Sequence, residues 1–194
     1  MFKKIFRNKS PLSDTERPDT TEDSETVDLA AEFLIAPTAL MRLTRQEARV
    51  VVRYMQPQKV PKGTTFIREG DHRDTGFMLL LLEGEVTVET LVASRKEPMT
   101  ITVLGAGSLI GELGLLDGEP RYASCIAATP LHCVVLTREA LQLLMQENAP
   151  IAAKLLLALS LRIAVRLRES TAKLKMYVQL TQAMEQEIGS RINA

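Results

Sequence analysis

Glu112 and Arg121 are the two residues whose types and separation best suit ligand chemistry. They lie in the stretch Ile110-Gly111-Glu112-Leu113-Gly114-Leu115-Leu116-Asp117-Gly118-Glu119-Pro120-Arg121-Tyr122-Ala123, with the acid opening a short expected helix and the arginine beyond a turn. A helix start presents backbone N–H groups that have no intrahelical partner, and a glycine before it lets a ligand approach closely. Arg121 adds a forked, charge-assisted pair of donors. Together these groups suit a ligand with one anionic phosphate and one sugar hydroxyl.

Other residues offer weaker chemistry. His72 falls in a turn and His132 in a strand, and neither has a nucleophile or a paired carboxylate at a recognisable spacing. The chain is therefore read as a binding protein and not an enzyme, with no catalytic residue. Cys125, His132 and Cys133 raise a metal reading, but no fourth ligand is visible and the spacing matches no zinc pattern, so no metal and no cofactor are expected. Two cysteines make no disulfide framework, which points to a reducing compartment and a cytoplasmic location.

The elements that must hold the stretch are short strands. From Gln58 to Leu136 turn residues recur at close intervals: Pro61-Lys62-Gly63, Glu69-Gly70-Asp71, Glu83-Gly84, Gly105-Ala106-Gly107, Asp117-Gly118 and Thr129-Pro130. Apolar runs such as Val86-Thr87-Val88 and Ile101-Thr102-Val103-Leu104 lie between them, the all-β signal of a barrel or jelly roll. The helix beginning at Gly111 is the lone expected helical insertion, which is where a ligand site belongs.

Helices flank these strands. Thr44-Arg45-Gln46-Glu47 is a capping box for a helix that runs to about Met55 and stops before Pro57. Thr137 caps a short helix, and Pro150 suits the first position of a long one. In that last helix Ile163, Leu167, Ser170, Leu174, Tyr177, Thr181, Met184 and Ile188 recur at spacings of four and three, a coiled-coil seam that predicts a homodimer. The resulting division is a flexible acidic tail over 1–28, leading helices over 29–56, the β-barrel over 57–136 with its cassette at 110–123, and C-terminal helices over 137–194. Within the tail, Ser10 to Asp28 carries seven acids and almost no apolar residues. The basic start, Lys3, Lys4, Arg7 and Lys9 among Phe2, Ile5 and Phe6, is too short for a signal peptide and reads as a frayed end. With 194 residues, 45% hydrophobic positions and net charge zero, the chain can form one well-packed domain, and no apolar run reaches the roughly 18 residues of a transmembrane span.

These features resemble the cyclic-nucleotide-binding domain family, which includes bacterial catabolite activator proteins and regulatory subunits of cyclic-nucleotide-dependent kinases. The likeness runs from about Leu40 to Lys175 and rests on the turns named above and on the Gly-Glu-Leu to Pro-Arg cassette. It implies a mainly β fold with flanking helices, a double-stranded β-helix or jelly-roll barrel, followed by a long dimerisation helix. It implies that Glu112 accepts a hydrogen bond from a ribose 2′-hydroxyl and that Arg121 neutralises a cyclic phosphate. Gly111, Leu113 and Gly114 fall where the helix start donates backbone N–H groups, and Tyr122 and Ala123 follow the arginine at the pocket. Three departures stand out. Tyr122 replaces the usual alanine, serine or threonine. The strip Gly76 to Glu83 is two residues longer than usual, an even number that keeps strand faces in register. The closing helix should bring small polar groups to the purine; Ser170-Thr171 resembles such a pair, yet a gapless count from Arg121 brings Arg166 and Leu167 there, about one turn earlier.

The chain therefore reads as a stand-alone sensor of a cyclic nucleotide, with cAMP the expected one, that signals to an unidentified partner protein through its C-terminal helix. The basic residues of that helix are read as a solvated face, and no DNA-binding domain is expected. Cyclic di-GMP gains little support, because no arginine cluster flanks the cassette. The alternative is a degenerate, ligand-free barrel that serves as an interaction or scaffold module, and Tyr122 is its main support.

Overall fold

The computed structural model describes residues 21–35, 41–91 and 98–192. Two helices lead, α1 (Thr21–Leu34) and α2 (Arg45–Arg53), followed by strands β1 (Gln56–Val60), β2 (Thr65–Ile67), β3 (Phe77–Glu83), β4 (Val86–Thr90), β5 (Met99–Leu104) and β6 (Leu109–Ile110). The cassette helix α3 (Glu112–Asp117) interrupts them before β7 (Ser124–Ala127) and β8 (Leu131–Thr137). Helices α4 (Arg138–Glu147) and α5 (Ala149–Ile192) close the chain.

The strands form two four-stranded antiparallel sheets, ordered β1-β8-β3-β6 and β2-β7-β4-β5, in the jelly-roll arrangement. Strand β3 explains how the layers share the molecule. Its side chains alternate, so Phe77, Leu79 and Leu81 enter the core between the sheets with Phe66, Val86, Cys125 and Val135. Met78, Leu80 and Leu82 point the other way into a second core with Ala30 and Leu34 of α1, Val51 of α2, Leu144 of α4 and Leu155 and Leu159 of α5. Buried on both faces, β3 has no need of an alternating polar pattern, hence its run of apolar residues. The register with β8 shifts between Leu81 and Glu83, yet the alternation holds through Leu82. A bulge thus follows the long apolar strip without turning its faces over.

Local signals act as the residue types dictate. The capping box forms, with the Thr44 N–H donating to Glu47 Oε2 at 2.8 Å and the Glu47 N–H donating to Thr44 Oγ1 at 3.2 Å. Thr137 Oγ1 accepts from the Ala140 N–H at 3.2 Å and starts α4. Helix α5 begins at Ala149, one position before Pro150.

One boundary moves. The flexible tail was expected to reach Asp28, whereas α1 is helical from Thr21. Acidic composition signals disorder for a segment with nothing to pack against. Here Ala30, Ala31 and Leu34 are buried against the helical layer, and Asp28 Oδ1 pairs with Arg49 Nε of α2 at 2.6 Å. Tertiary burial of a narrow apolar stripe is enough to carry the acidic turns before it. The rest of the expected tail, with its basic start, lies outside the described residues.

Candidate functional site

The cassette turns twice through left-handed glycines. Strand β6 ends at Ile110, and Gly111, at φ 84°, redirects the chain into α3. Gly118, at φ 79°, ends that helix, its N–H bonding to the Gly114 carbonyl at 3.0 Å. Asp117 Oδ1 accepts from the Glu119 N–H at 2.9 Å and tightens the return. The Glu69-Gly70-Asp71 turn then clamps the backbone of Arg121, with Gly70 N–H to Arg121 O at 2.7 Å and Arg121 N–H to Asp71 O at 3.1 Å.

Arg121 is only 5% exposed. Its Nη1 donates to the Gly111 carbonyl at 2.8 Å, and its Nη2 donates to the carbonyls of Phe77 at 2.9 Å and Asp74 at 3.1 Å. The guanidinium stacks over the Phe77 ring at 4.5 Å. Its Nε is buried and has no hydrogen-bond partner among the described residues. Burial lowers the pKa of the group, against the charges of Asp71, Glu112 and Asp117. The glycines of the cassette serve this side chain. A Cβ on Gly111 would lie 2.8 Å from Arg121 Nη1, and one on Gly114 would lie 2.7 Å from the same atom and 2.9 Å from the Thr75 carbonyl. Close approach was expected for the sake of the ligand; in this structure it is the arginine that fills the space.

Helix α3 is also held from its far end. Arg138 donates to the carbonyls of Gly114 at 2.7 Å, shared with the Gly118 N–H, and Leu115 at 3.1 Å at the end of the short helix. Thr75 Oγ1 donates to the Gly118 carbonyl at 3.1 Å.

A cleft of about 280 Å³ opens beside α3. Gly111, Leu113, Gly114, Arg121, Tyr122 and Ala123 all line it, over an apolar floor that includes Ile67, Val88, Leu104 and Cys125. Tyr122 stands at its rim, 57% exposed. Partial burial and the Glu112 charge raise its phenol pKa, and Arg166 acts against them. Burial pushes the Cys125 thiol up to about 12, so it is a neutral part of the wall.

Two expected contributors differ. Ser170 and Thr171 are exposed and lie away from the cleft, with Thr171 Oγ1 bonded back to the Leu167 carbonyl at 2.9 Å. Arg166, about one turn earlier on α5, reaches the cleft instead. The gapless count from Arg121 already pointed to it. Its Nη1 donates to Glu112 Oε1 at 2.6 Å and its Nη2 to the Leu109 carbonyl at 3.2 Å. Glu112 itself is 3% exposed and is not part of the cleft lining. Its carboxylate is engaged by Arg166 of α5.

A model of the cyclic nucleotide-binding domain matches residues 57–148, which span β1 through α4. A solved cyclic nucleotide-binding domain from Methylobacillus flagellatus KT is 33% identical and superposes with a TM-score of 0.70 over 77% of this chain and 82% of that one. A cyclic nucleotide-gated potassium channel from Rhizobium etli is 33% identical over 120 residues, 61% of this chain and 31% of the channel. A CRP-like cAMP-activated global transcriptional regulator from Mycobacterium tuberculosis is 27% identical over 129 residues, 66% of this chain and 53% of the regulator. The chain thus spans 31% and 53% of the length of these two curated relatives. With its jelly roll, its cassette and these likenesses, the chain belongs to the cyclic-nucleotide-binding domain family.

Proposed function

We propose that this chain is a sensor of a cyclic mononucleotide, cAMP before others, and that it acts without turnover. The observation that carries this reading is Arg121. Arginine is rarely buried without an ionic partner. Here the guanidinium is tied to three backbone carbonyls, its buried Nε has no partner among the described residues, and the residue lines the cleft, which suits an incoming phosphate oxygen. Gly111 has no side chain to cap the first turn of α3, and that turn borders the cleft, which suits the same anion. Glu112 is the acceptor for the ribose 2′-hydroxyl, and the apolar floor receives the base. The regulator from Mycobacterium tuberculosis, described as cAMP-activated, supports cAMP as the first ligand to test.

The output leaves through α5. Its exposed apolar residues past the cleft, Leu167, Leu174, Tyr177, Met184 and Ile188, form a stripe suited to a second copy, and a partner protein reads the dimer. No helix of the described residues is long and apolar enough to cross a membrane. Cys125 and Cys133 are free and buried, which suits the reducing, cytoplasmic location we infer.

The degenerate-barrel reading has one observation in its favour, the Tyr122 ring at the rim. A single calorimetric series separates the two readings. Parent protein should bind cAMP, and Arg121→Ala should weaken binding about a hundredfold, given ~1.5–3 kcal/mol for a charged hydrogen bond with burial adding to it. Circular dichroism checks that the variant is folded. Equal affinity in parent and Arg121→Ala sinks the assignment, and binding seen only in Tyr122→Ala means that the ring blocks the native site.

A further inference from the structure

The charges around the cleft are closely balanced. Among the described residues that line it, the charged ones are Arg121 and Arg166 against Asp117 and Glu119. Arg166 is matched already, since its Nη1 lies 2.6 Å from the carboxylate of buried Glu112. Arg138, although close to the cassette, is turned to the carbonyls of Gly114 and Leu115 and is not a lining residue. Among the lining groups described, Arg121 therefore brings the positive charge that is not already paired with a carboxylate.

Two acids share its neighbourhood. Asp117 ends α3, Glu119 lies two residues before Arg121, and both are exposed. Burial lowers the pKa of Arg121, and the charge of Asp117, with those of Asp71 and Glu112, works against that lowering, so Asp117 is within electrostatic reach of the guanidinium. Ile67, Val88 and Leu104 make the floor apolar, and charges beside such a surface are screened less than in open water.

We propose that Asp117 and Glu119 restrict the cleft to ligands with a single negative charge, so that it accepts a cyclic phosphodiester and rejects a phosphomonoester. The proposal rests on the pocket reading given above. A phosphodiester carries one negative charge, which Arg121 matches. A phosphomonoester carries about −1.5 to −2 at pH 7, and the excess meets two carboxylates with no further cation to offset it. The linear nucleotide left when the ring is hydrolysed is then a poor mimic of the closed one.

The test uses the full chain and calorimetry with cAMP, 5′-AMP and the methyl phosphate ester of 5′-AMP, which is linear but carries one charge. Parent should bind the ester about three- to tenfold more tightly than 5′-AMP. In the double variant Asp117→Asn, Glu119→Gln both linear nucleotides should bind more tightly, 5′-AMP the more so, and their ratio should shrink about threefold or further. Asparagine at 117 can still accept the Glu119 N–H, which keeps the cassette turn, and circular dichroism checks the fold. Added salt should shrink the ratio in parent and change it little in the double variant, a response that loss of shape alone would not produce. Equal affinity of parent for 5′-AMP and its ester overturns the proposal, as does a ratio that the double variant leaves unchanged. Failure of both linear nucleotides to bind while cAMP binds places the selection in the shape of the ring and also overturns it. In each of these cases bound cAMP leaves the pocket reading standing. If cAMP too fails to bind, that reading falls and the proposal falls with it.

Discussion

Arg121 sets the demands on its neighbours. A guanidinium lodged between Gly111, Gly114 and Phe77 leaves no room for a methyl group at either glycine. Gly114 has an ordinary φ, so a substitution there tests packing without backbone strain. Gly114→Ala should cost about 1–3 kcal/mol, because the new Cβ meets the backbone carbonyl of Thr75 as well as the arginine. Gly105, with open space around its Cβ position, is the control, and Gly105→Ala should be near neutral. Urea denaturation compares the two; equal midpoints would mean that the arginine moves aside freely. At this scale the sequence showed the glycines and the arginine, and their spacing was enough to place them at one site. The beneficiary of the glycines was hidden, because a glycine's missing side chain looks the same whether a ligand or a neighbour fills the gap.

At the scale of elements, α5 is held to the helical layer by charged contacts before it reaches the cleft. Lys154 Nζ lies 2.5 Å from Glu47 Oε1, and the same glutamate closes the capping box of α2. The hydrogen bond from Lys154, followed by those of the cap, holds the Glu47 carboxyl below the ordinary glutamate range. A carboxyl whose pKa is lowered on folding stabilises the protein above its unfolded value, about 4.3, and loses that contribution as pH falls through the lowered folded value. Glu47→Gln should therefore lower stability at pH 7, and the gap between variant and parent should close as pH falls below about 4. Chemical denaturation at a series of pH values measures this, and a gap that stays constant would exclude the ion pair as its source. The capping box was legible because Thr44 and Glu47 are neighbours in sequence. Lys154 was not, since nothing local to either helix says which turn of α5 lies over the start of α2.

For the whole molecule, the open question is what covers α5 beyond the barrel. Leu167 is 66% exposed and Leu174 63% exposed, with Tyr177, Met184 and Ile188 exposed on the same four-and-three spacing. An amphipathic helix gains its stability by burying such a stripe, and no described element of this chain lies over it. The parent should sediment as a dimer at micromolar concentration, and Leu174→Lys should shift it toward monomer while leaving cAMP affinity close to the parent value. A parent that sediments as a monomer, or a Leu174→Lys variant that remains dimeric, would remove the seam.

The sequence by itself determined whatever depends on neighbours along the chain. The turns of the jelly roll, the caps of α2 and α4, the alternation of β3 and the separation of Glu112 from Arg121 are of this kind, since turn chemistry and side-chain period act within a few residues. Tertiary structure alone decided which part of α5 meets the cassette. A helix is a rigid rod, and sliding it by one turn, about 5.4 Å, exchanges Ser170 and Thr171 for Arg166 without altering any local preference. Docking of that rod through Lys154, Arg162 and the buried Leu155 and Leu159 set the position. It placed on Glu112 an arginine where small polar groups had been expected.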